Sequence, residues 1–354
     1  MLFDGITARR VPTPRYEAQV LERDGDPADA AAVVFVHGNV SSSLFWQQAM
    51  LDLPEAFRAV AVDLRGFGGS ETLPVDARRG LRDYSEDLEA VIAALGLGVP
   101  HLVGWSMGGG VVLQYALDNP ARSLTLQAPV SPYGFGGTAG ADGRRLTDDD
   151  AGTGAGGVNP DFVARLGAGD TGADAPTSPR SVFRATYVHA GFESPHEDVW
   201  VASMLTTAIG EGNYPGTSTA SSSWPGFAPG EWGVLNTMAP GRLDLSPIVE
   251  LAEKPPILWI HGDADAIVSD ASLFDANVLG RLGAIPGWPG EEAAPAQPMV
   301  SQTRHVLEAY RGAGGAVTEV ELAGCGHSPH LELPGEFNRA LAAHLGKADP
   351  FPYS

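Results

Sequence analysis

Gly104-Trp105-Ser106-Met107-Gly108 is the segment of the chain whose residue types and spacing point most directly to chemistry. An apolar run, His101-Leu102-Val103-Gly104-Trp105, leads into it, and a helix-like apolar segment over 107–117 leads away. In a strand-to-helix setting, G-x-S-x-G makes a sharp turn that lifts the hydroxyl above the strand end. The helix N-terminus behind it favours the negative charge that forms in acyl transfer. A serine hydroxyl is a weak nucleophile until a base takes its proton. His327 is the first histidine after the last predicted strand, in Gly324-Cys325-Gly326-His327-Ser328-Pro329-His330. His330, three residues on, reads as a packing or capping residue. The base needs a carboxylate to orient it and to stabilise its charged form. His261-Gly262-Asp263-Ala264-Asp265 supplies two after a strand. Asp265 is favoured for its distance past the glycine, and Asp263 is assigned to backbone donors in the turn. The strand after Ser106 ends Gln127-Ala128-Pro129-Val130-Ser131, with no carboxylate.

An oxyanion needs two preorganised N–H donors. Met107, next after the serine, supplies one. The second comes from His37-Gly38-Asn39-Val40-Ser41-Ser42-Ser43, where Asn39 is preferred and Val40 is the near alternative. The Asn39 side chain either caps its own loop or faces the substrate.

These residues need a scaffold that brings distant segments to one edge. Ala31-Ala32-Val33-Val34-Phe35-Val36, Arg58-Ala59-Val60-Ala61-Val62, the run before Ser106, Ser123-Leu124-Thr125-Leu126-Gln127, Pro256-Ile257-Leu258-Trp259-Ile260 and Val317-Thr318-Glu319-Val320-Glu321-Leu322 read as strands buried in a parallel sheet. Residues 16–22 alternate and suggest an antiparallel edge strand. Helical patterns over 83–95, 107–117, 303–310 and 335–345 fall between the strands. Alternating strand and helix predicts an α/β fold, a mostly parallel sheet covered by helices on both faces.

The alternation stops between Val130 and Leu251. Helical patches over 160–166, 181–189 and 195–209 predict a mainly helical cap inserted over the carboxyl edge of the sheet, where open α/β sheets bind ligands. The expected organisation is a core over 1–129, a cap over 130–251 and the rest of the core over 252–354. The cap carries Phe183, Tyr187, Phe192, Trp200, Met204, Tyr214, Trp224, Phe227 and Trp232. Most of these pack the cap together; Trp105, Tyr187, Trp200 and Met204 are the candidates for substrate contact. Residues 283–298, with four prolines, read as an irregular loop. Gly152-Thr153-Gly154-Ala155-Gly156-Gly157 has no strand before it and reads as a flexible turn, not a dinucleotide loop. Asp148-Asp149-Asp150 reads as a solvated loop, without the further ligands a metal site needs.

Composition narrows the function classes. The chain has 354 residues with 44% hydrophobic and 18% charged, a globular composition. Its formal charge of −21 repels nucleic acid and anionic lipid, so neither is an expected partner. No run approaches a membrane span, the first fifteen residues lack a secretory pattern, and Cys325 is the only cysteine. These features point to the cytoplasm. No metal and no cofactor is expected, since hydrolysis by such a triad needs none. A homo-oligomer is compatible with the sequence, which does not set the subunit count.

With these parts in place, residues 31–128 and 255–345 resemble the α/β-hydrolase superfamily, whose triad follows the order Ser, Asp, His. Asp63-Leu64-Arg65-Gly66-Phe67-Gly68-Gly69-Ser70 looks like the D-x-R-G-x-G-x-S turn of its esterase and dehalogenase branches. His37-Gly38-Asn39 is similar to the H-G-N of haloalkane dehalogenases. Those enzymes and epoxide hydrolases carry aspartate where this chain has Ser106, which disfavours both activities. The resemblance implies a carboxylesterase, lactonase, thioesterase or carbon–carbon bond hydrolase. The loop H-G-N-x-S-S-S and the long glycine-rich cap also look like bacterial zearalenone-type lactonases, implying a small-molecule ester or bulky macrocyclic lactone as substrate. A ligand receptor that has kept the fold is the alternative of another class.

Overall fold

Eight strands make one sheet in the computed structural model, which describes residues 1–348. They are β1 (Ile6–Pro12), β2 (Glu17–Arg23), β3 (Ala31–Val36), β4 (Phe57–Val62), β5 (His101–Trp105), β6 (Ser123–Gln127), β7 (Ile257–Gly262) and β8 (Val317–Leu322). The spatial order is β1-β2-β4-β3-β5-β6-β7-β8. The β1–β2 and β2–β4 pairs are antiparallel, and every other pair is parallel. This is the mostly parallel α/β architecture that the alternating pattern predicts.

Three elements differ from the sequence expectation. β2 is antiparallel but lies inside the sheet, because β1 covers its outer side. β1 was not expected: its Ile6-Thr7-Ala8-Arg9-Arg10-Val11-Pro12 sequence buries only Ile6 and Val11, so it carries no apolar run. β8 is not buried like the other parallel strands. It is the far edge, largely exposed, and Glu319 and Glu321 lie along it. Acidic side chains on an edge discourage pairing with another chain.

The helices that position the site are α1 (Arg82–Leu95) and α2 (Met107–Asp118). α1 buries Tyr84, Leu88, Val91 and Ile92 and stops at Gly96, whose φ of 64° suits a residue without Cβ. α2 is buried from Met107 to Ala116, as an apolar helix must be, and packs against β5, β6, β3 and α1. Residues 128–256 lie between β6 and β7 and add no strand to the sheet. Their longest helices are α3 (Pro160–Gly167) and α4 (Glu197–Met204), joined by shorter turns and three two-stranded pairings. On the far side of the sheet sequence, α5 (Met299–Gly312) precedes β8, and α6 (Pro334–Ala348) follows the histidine loop. None of the helices among the described residues is long and apolar enough to cross a membrane.

Two buried carboxylates tie the turn 63–70 to its surroundings. Asp63 Oδ1 accepts from the Ser43 N–H at 2.7 Å, and its Oδ2 accepts from the Gly69 N–H at 2.8 Å. Asp87 receives Arg65 twice, at 2.5 and 2.7 Å, and Arg15 at 2.7 Å. The acidic run at 148–150 departs from the expected solvated loop in one residue. Asp150 is buried, accepts from Arg145 Nε at 2.8 Å and from the Gly241 N–H at 3.0 Å, and so anchors its loop.

Removing one partner of a buried ion pair leaves an uncompensated charge, at about 3–5 kcal/mol. Asp87→Ala is therefore expected to lower unfolding stability by about that amount, read as a shift of the urea midpoint with unchanged m-value. A shift below about 1 kcal/mol would mean that the Arg65 pair is replaceable by solvent.

Candidate active site

Because β3, β5, β7 and β8 are parallel, their carboxyl ends meet at one edge. Register keeps those ends level: Val36 pairs with Gly104, Trp105 with Gln127, and Gly262 with Leu322. The loop 37–43, Ser106, Asp265 and His327 each follow one of these strands within a few residues.

Ser106 sits at φ 56° and ψ −121°, between the end of β5 and the start of α2. A non-glycine residue there is strained, at about 1–3 kcal/mol, and persists only if its surroundings over-determine it. They do. The Ser106 N–H donates to Gln127 O at 2.9 Å, and Ser106 O accepts from Gly109 N–H at 2.9 Å and Val130 N–H at 3.0 Å. The flanking glycines permit the turn to close: a Cβ on Gly104 would lie 2.3 Å from Gly108 O, and one on Gly108 would lie 2.4 Å from Val36 O.

His327 and Asp265 meet in a buried hydrogen bond, Nδ1 to Oδ2, at 2.7 Å. The other oxygen, Asp265 Oδ1, accepts from the Ile267 and Val268 N–H groups at 2.7 and 2.9 Å. With Nδ1–H directed at the carboxylate, His327 Nε2 keeps its lone pair for a proton. Asp263 does accept from a backbone donor, but not in its own turn as expected: the donor is the Gly324 N–H of the loop after β8, at 2.6 Å. His330 packs as expected: it is buried, its ring lies 4.4 Å from that of Trp46, and its Nδ1 accepts from Gln127 Nε2 at 2.8 Å.

The loop after β3 is tied down by its own hydrogen bonds. His37 Nε2 accepts from the Leu64 N–H at 3.1 Å, which leaves Nδ1–H to donate to Gly38 O at 2.7 Å. Burial lowers the pKa of His37, keeping this neutral form. Asn39 Oδ1 is buried without a partner, so the side chain does not cap its loop through that oxygen.

Ser106, His327, Met107, Asn39 and Val40 all line one cavity of about 420 Å3, within the usual range for small-molecule sites. Trp105 and Tyr187 also line it, but Trp200 and Met204 do not. Trp200 stacks on Phe183 at 5.7 Å and packs near Phe45 and Phe192, and Met204 is fully buried, so both pack the interior and are not the cavity contacts expected of them. Tyr214 is the other cap aromatic named above that reaches the cavity. Phe135, Phe162, Leu273 and Phe274 line it without having been singled out. So does the glycine run, whose Gly154–Gly157 turn forms wall and not a free loop.

Sequence reasoning also missed Glu332. Its buried carboxylate accepts from the N–H groups on both sides of His327, Gly326 at 2.9 Å and Ser328 at 2.9 Å. The His327 carbonyl accepts from Trp105 Nε1 at 2.8 Å. Only the pattern of a glutamate five residues after the histidine hinted at this. Among the described residues, one group has the spacing to hold a metal ion, His261, Glu319 and Glu321. Arg304 already meets both of its carboxylates, at 2.6 and 3.7 Å.

Residues 31–153 match the protein family described as alpha/beta hydrolase fold. The carboxylesterase YbfK of Bacillus subtilis is 32% identical over 96 residues, 27% of this chain and 32% of that protein. Its crystal structure superposes with a TM-score of 0.57 at 15% identity, covering 96% of this chain and 91% of that one. The bifunctional esterase/perhydrolase DCH of Acinetobacter calcoaceticus is 36% identical over 125 residues, 34% of this chain and 44% of that protein. The solved 2-hydroxy-6-oxo-6-phenylhexa-2,4-dienoate hydrolase of Rhodococcus sp. strain RHA1 gives a TM-score of 0.59 at 19% identity, covering 96% and 98%. In sequence, the chain spans less than half the length of these curated relatives. The fold is thus defined: this chain has the alpha/beta hydrolase fold.

Two buried histidines, His330 beside the histidine loop and His344 on α6 at the opposite end of the sheet, are expected to give the fold a pH dependence. Desolvation pulls His330 down to about 3 and His344 to about 4, whereas the unfolded chain titrates near 6.5. Their stabilising contribution is therefore complete above about pH 6.5 and is lost as pH falls from there toward 3–4, at up to about 1.4 kcal/mol per pH unit for each. His330→Gln is expected to flatten the fall in urea midpoint between pH 6.5 and 4.5. An unchanged slope would assign that pH dependence to other groups.

Proposed function

We propose that this chain is a serine hydrolase acting on a neutral carboxylic ester, with a bulky lactone as the preferred substrate. The observation that carries the reading is a cavity holding both Ser106 and His327 whose lining includes no Asp, Glu, Lys or Arg. An uncharged wall favours an uncharged substrate, because a buried charge without a partner is costly. In this reading Ser106 Oγ bonds to the carbonyl carbon and its proton passes to His327 Nε2. The carbonyl electron pair moves to oxygen, where the Met107 N–H and an N–H of the Asn39–Val40 segment receive it. Collapse breaks the bond to the leaving alkoxide, which takes the proton back from His327. Water then repeats the sequence on the acyl-serine and releases the acid. From a lactone, acid and alcohol leave as one ring-opened molecule.

Several observations support an ester over a carbon–carbon bond. The relatives named above include esterases. The Rhodococcus hydrolase acts on a dienoate, an anion by its name, and nothing cationic lines this cavity to receive a carboxylate. The glycine-rich wall and the aromatic residues Phe135, Phe162, Tyr187 and Tyr214 suit a large, flat ring system.

Ser106→Ala is expected to reduce turnover of aryl esters and macrocyclic lactones by at least about 10⁴-fold, on the scale of removing a triad nucleophile. On the wild type, a panel should rank neutral lactones and aryl esters above carboxylate-bearing vinylogous diketones. Turnover by the alanine variant at the wild-type rate would remove the nucleophile assignment, and activity confined to the diketones would remove the ester. Binding of lactones without repeated turnover would favour a receptor.

A further inference from the structure

Val40, in the oxyanion loop, has φ 47°, a conformation that a β-branched residue rarely adopts. Something must hold it there. The Tyr187 hydroxyl donates toward Asn39 O at 3.0 Å and Val40 O at 3.3 Å. These carbonyls lie one on each side of the Val40 Cα, so a single shared O–H brackets both of its torsions. A peptide unit is planar and trans, with C=O and N–H pointing in opposite directions. Aiming the Asn39 carbonyl at Tyr187 therefore sets the direction of the Val40 N–H.

Tyr187 is itself fixed at both ends. Its buried ring lies against Phe45, Phe183, Trp105 and His327, the last edge-on at 6.2 Å. Burial pushes its phenol pKa up, so the group remains a donor. Two residues on, the His189 N–H and Nδ1 meet Glu332 Oε2 at 2.7 and 2.8 Å. Glu332 is the carboxylate that accepts from both amides flanking His327. The cap segment 187–189 thus touches the oxyanion loop with one hydroxyl and the histidine loop through one carboxylate.

We propose that Tyr187 is a positioning residue: its hydroxyl holds the Asn39–Val40 backbone in the strained form that presents N–H donors to the substrate carbonyl. This assignment rests on the serine-hydrolase reading above. It gives the cap a part in catalysis beyond walling the cavity, and it makes Tyr187 more than the substrate contact expected from its aromatic ring.

Tyr187→Phe tests it, because the ring and its packing stay and only the O–H goes. With p-nitrophenyl butyrate, and with kcat referred to sites titrated by a fluorophosphonate so that misfolded protein does not count, kcat is expected to fall about 10–100-fold while KM stays within about 3-fold. A lost oxyanion donor costs about 10²–10³, and a loosened one should cost less. An aryl trifluoromethyl ketone, which adds to serine and leaves its oxygen in the oxyanion site, should lose affinity by the same factor as kcat/KM. A kcat within about 2-fold of wild type, a loss confined to KM, or undiminished ketone affinity in an active enzyme would each overturn the role of Tyr187 alone. Wild-type protein that neither turns over esters nor takes up the fluorophosphonate would overturn the parent reading and this one with it.

Discussion

The backbone at Ser106 is the constraint on which the site depends. A serine at φ 56° between a buried strand and a buried helix is held by three backbone hydrogen bonds, and its neighbours leave no room for a Cβ at Gly104 or Gly108. Strain of this kind, about 1–3 kcal/mol, is small against the packing that enforces it. What it achieves is exposure: the hydroxyl stands at the sheet edge, at the cavity, while everything behind it is buried. Gly38 also approaches Ser106 closely, since a Cβ on it would lie 2.9 Å from the Ser106 Cβ, and this brings the loop after β3 within reach of the same point.

The remaining parts are set around that point by buried polar groups that are each multiply bonded. Asp265 divides its two oxygens between backbone donors and His327. Glu332 grips the amides on either side of His327, and Asp63 ties Ser43 to the 63–70 turn. Carboxylates buried in this way are stable only when their lone pairs are used, and here they are. The D-x-R-G-x-G-x-S turn therefore acts as scaffold, through Asp63 and Arg65, while the proposed catalytic residues stand at the strand ends.

Much of the candidate site was legible in the sequence because its segments are bounded by glycine, two of them after short apolar runs. Ser106 and Asp265 have that signature; His327 follows the mixed strand Val317–Leu322 and is marked by Gly324 and Gly326 instead, and the two acids at 263 and 265 separated on turn geometry alone. β1 was illegible because a two-stranded edge of Arg and Thr needs no apolar pattern. Asp150 was misread because its partner Arg145 and the Gly241 amide come together only in the folded insert. Trp200 and Met204 illustrate a general difficulty: an aromatic or methionine in a cap packs equally well inward or toward a cavity, and periodicity does not distinguish the two. Glu332 and the Tyr187 hydroxyl escaped because their roles lie in contacts across 143 and 148 residues of chain.

The reading that links these features is covalent catalysis at Ser106, and it is tested most directly by trapping the acyl-enzyme. Rapid acid quench of the wild type with p-nitrophenyl acetate, followed by peptide mass spectrometry, should find an acetyl group on Ser106 during a burst of p-nitrophenol. Release of p-nitrophenol with no adduct, or with the acetyl group on another residue, would contradict it.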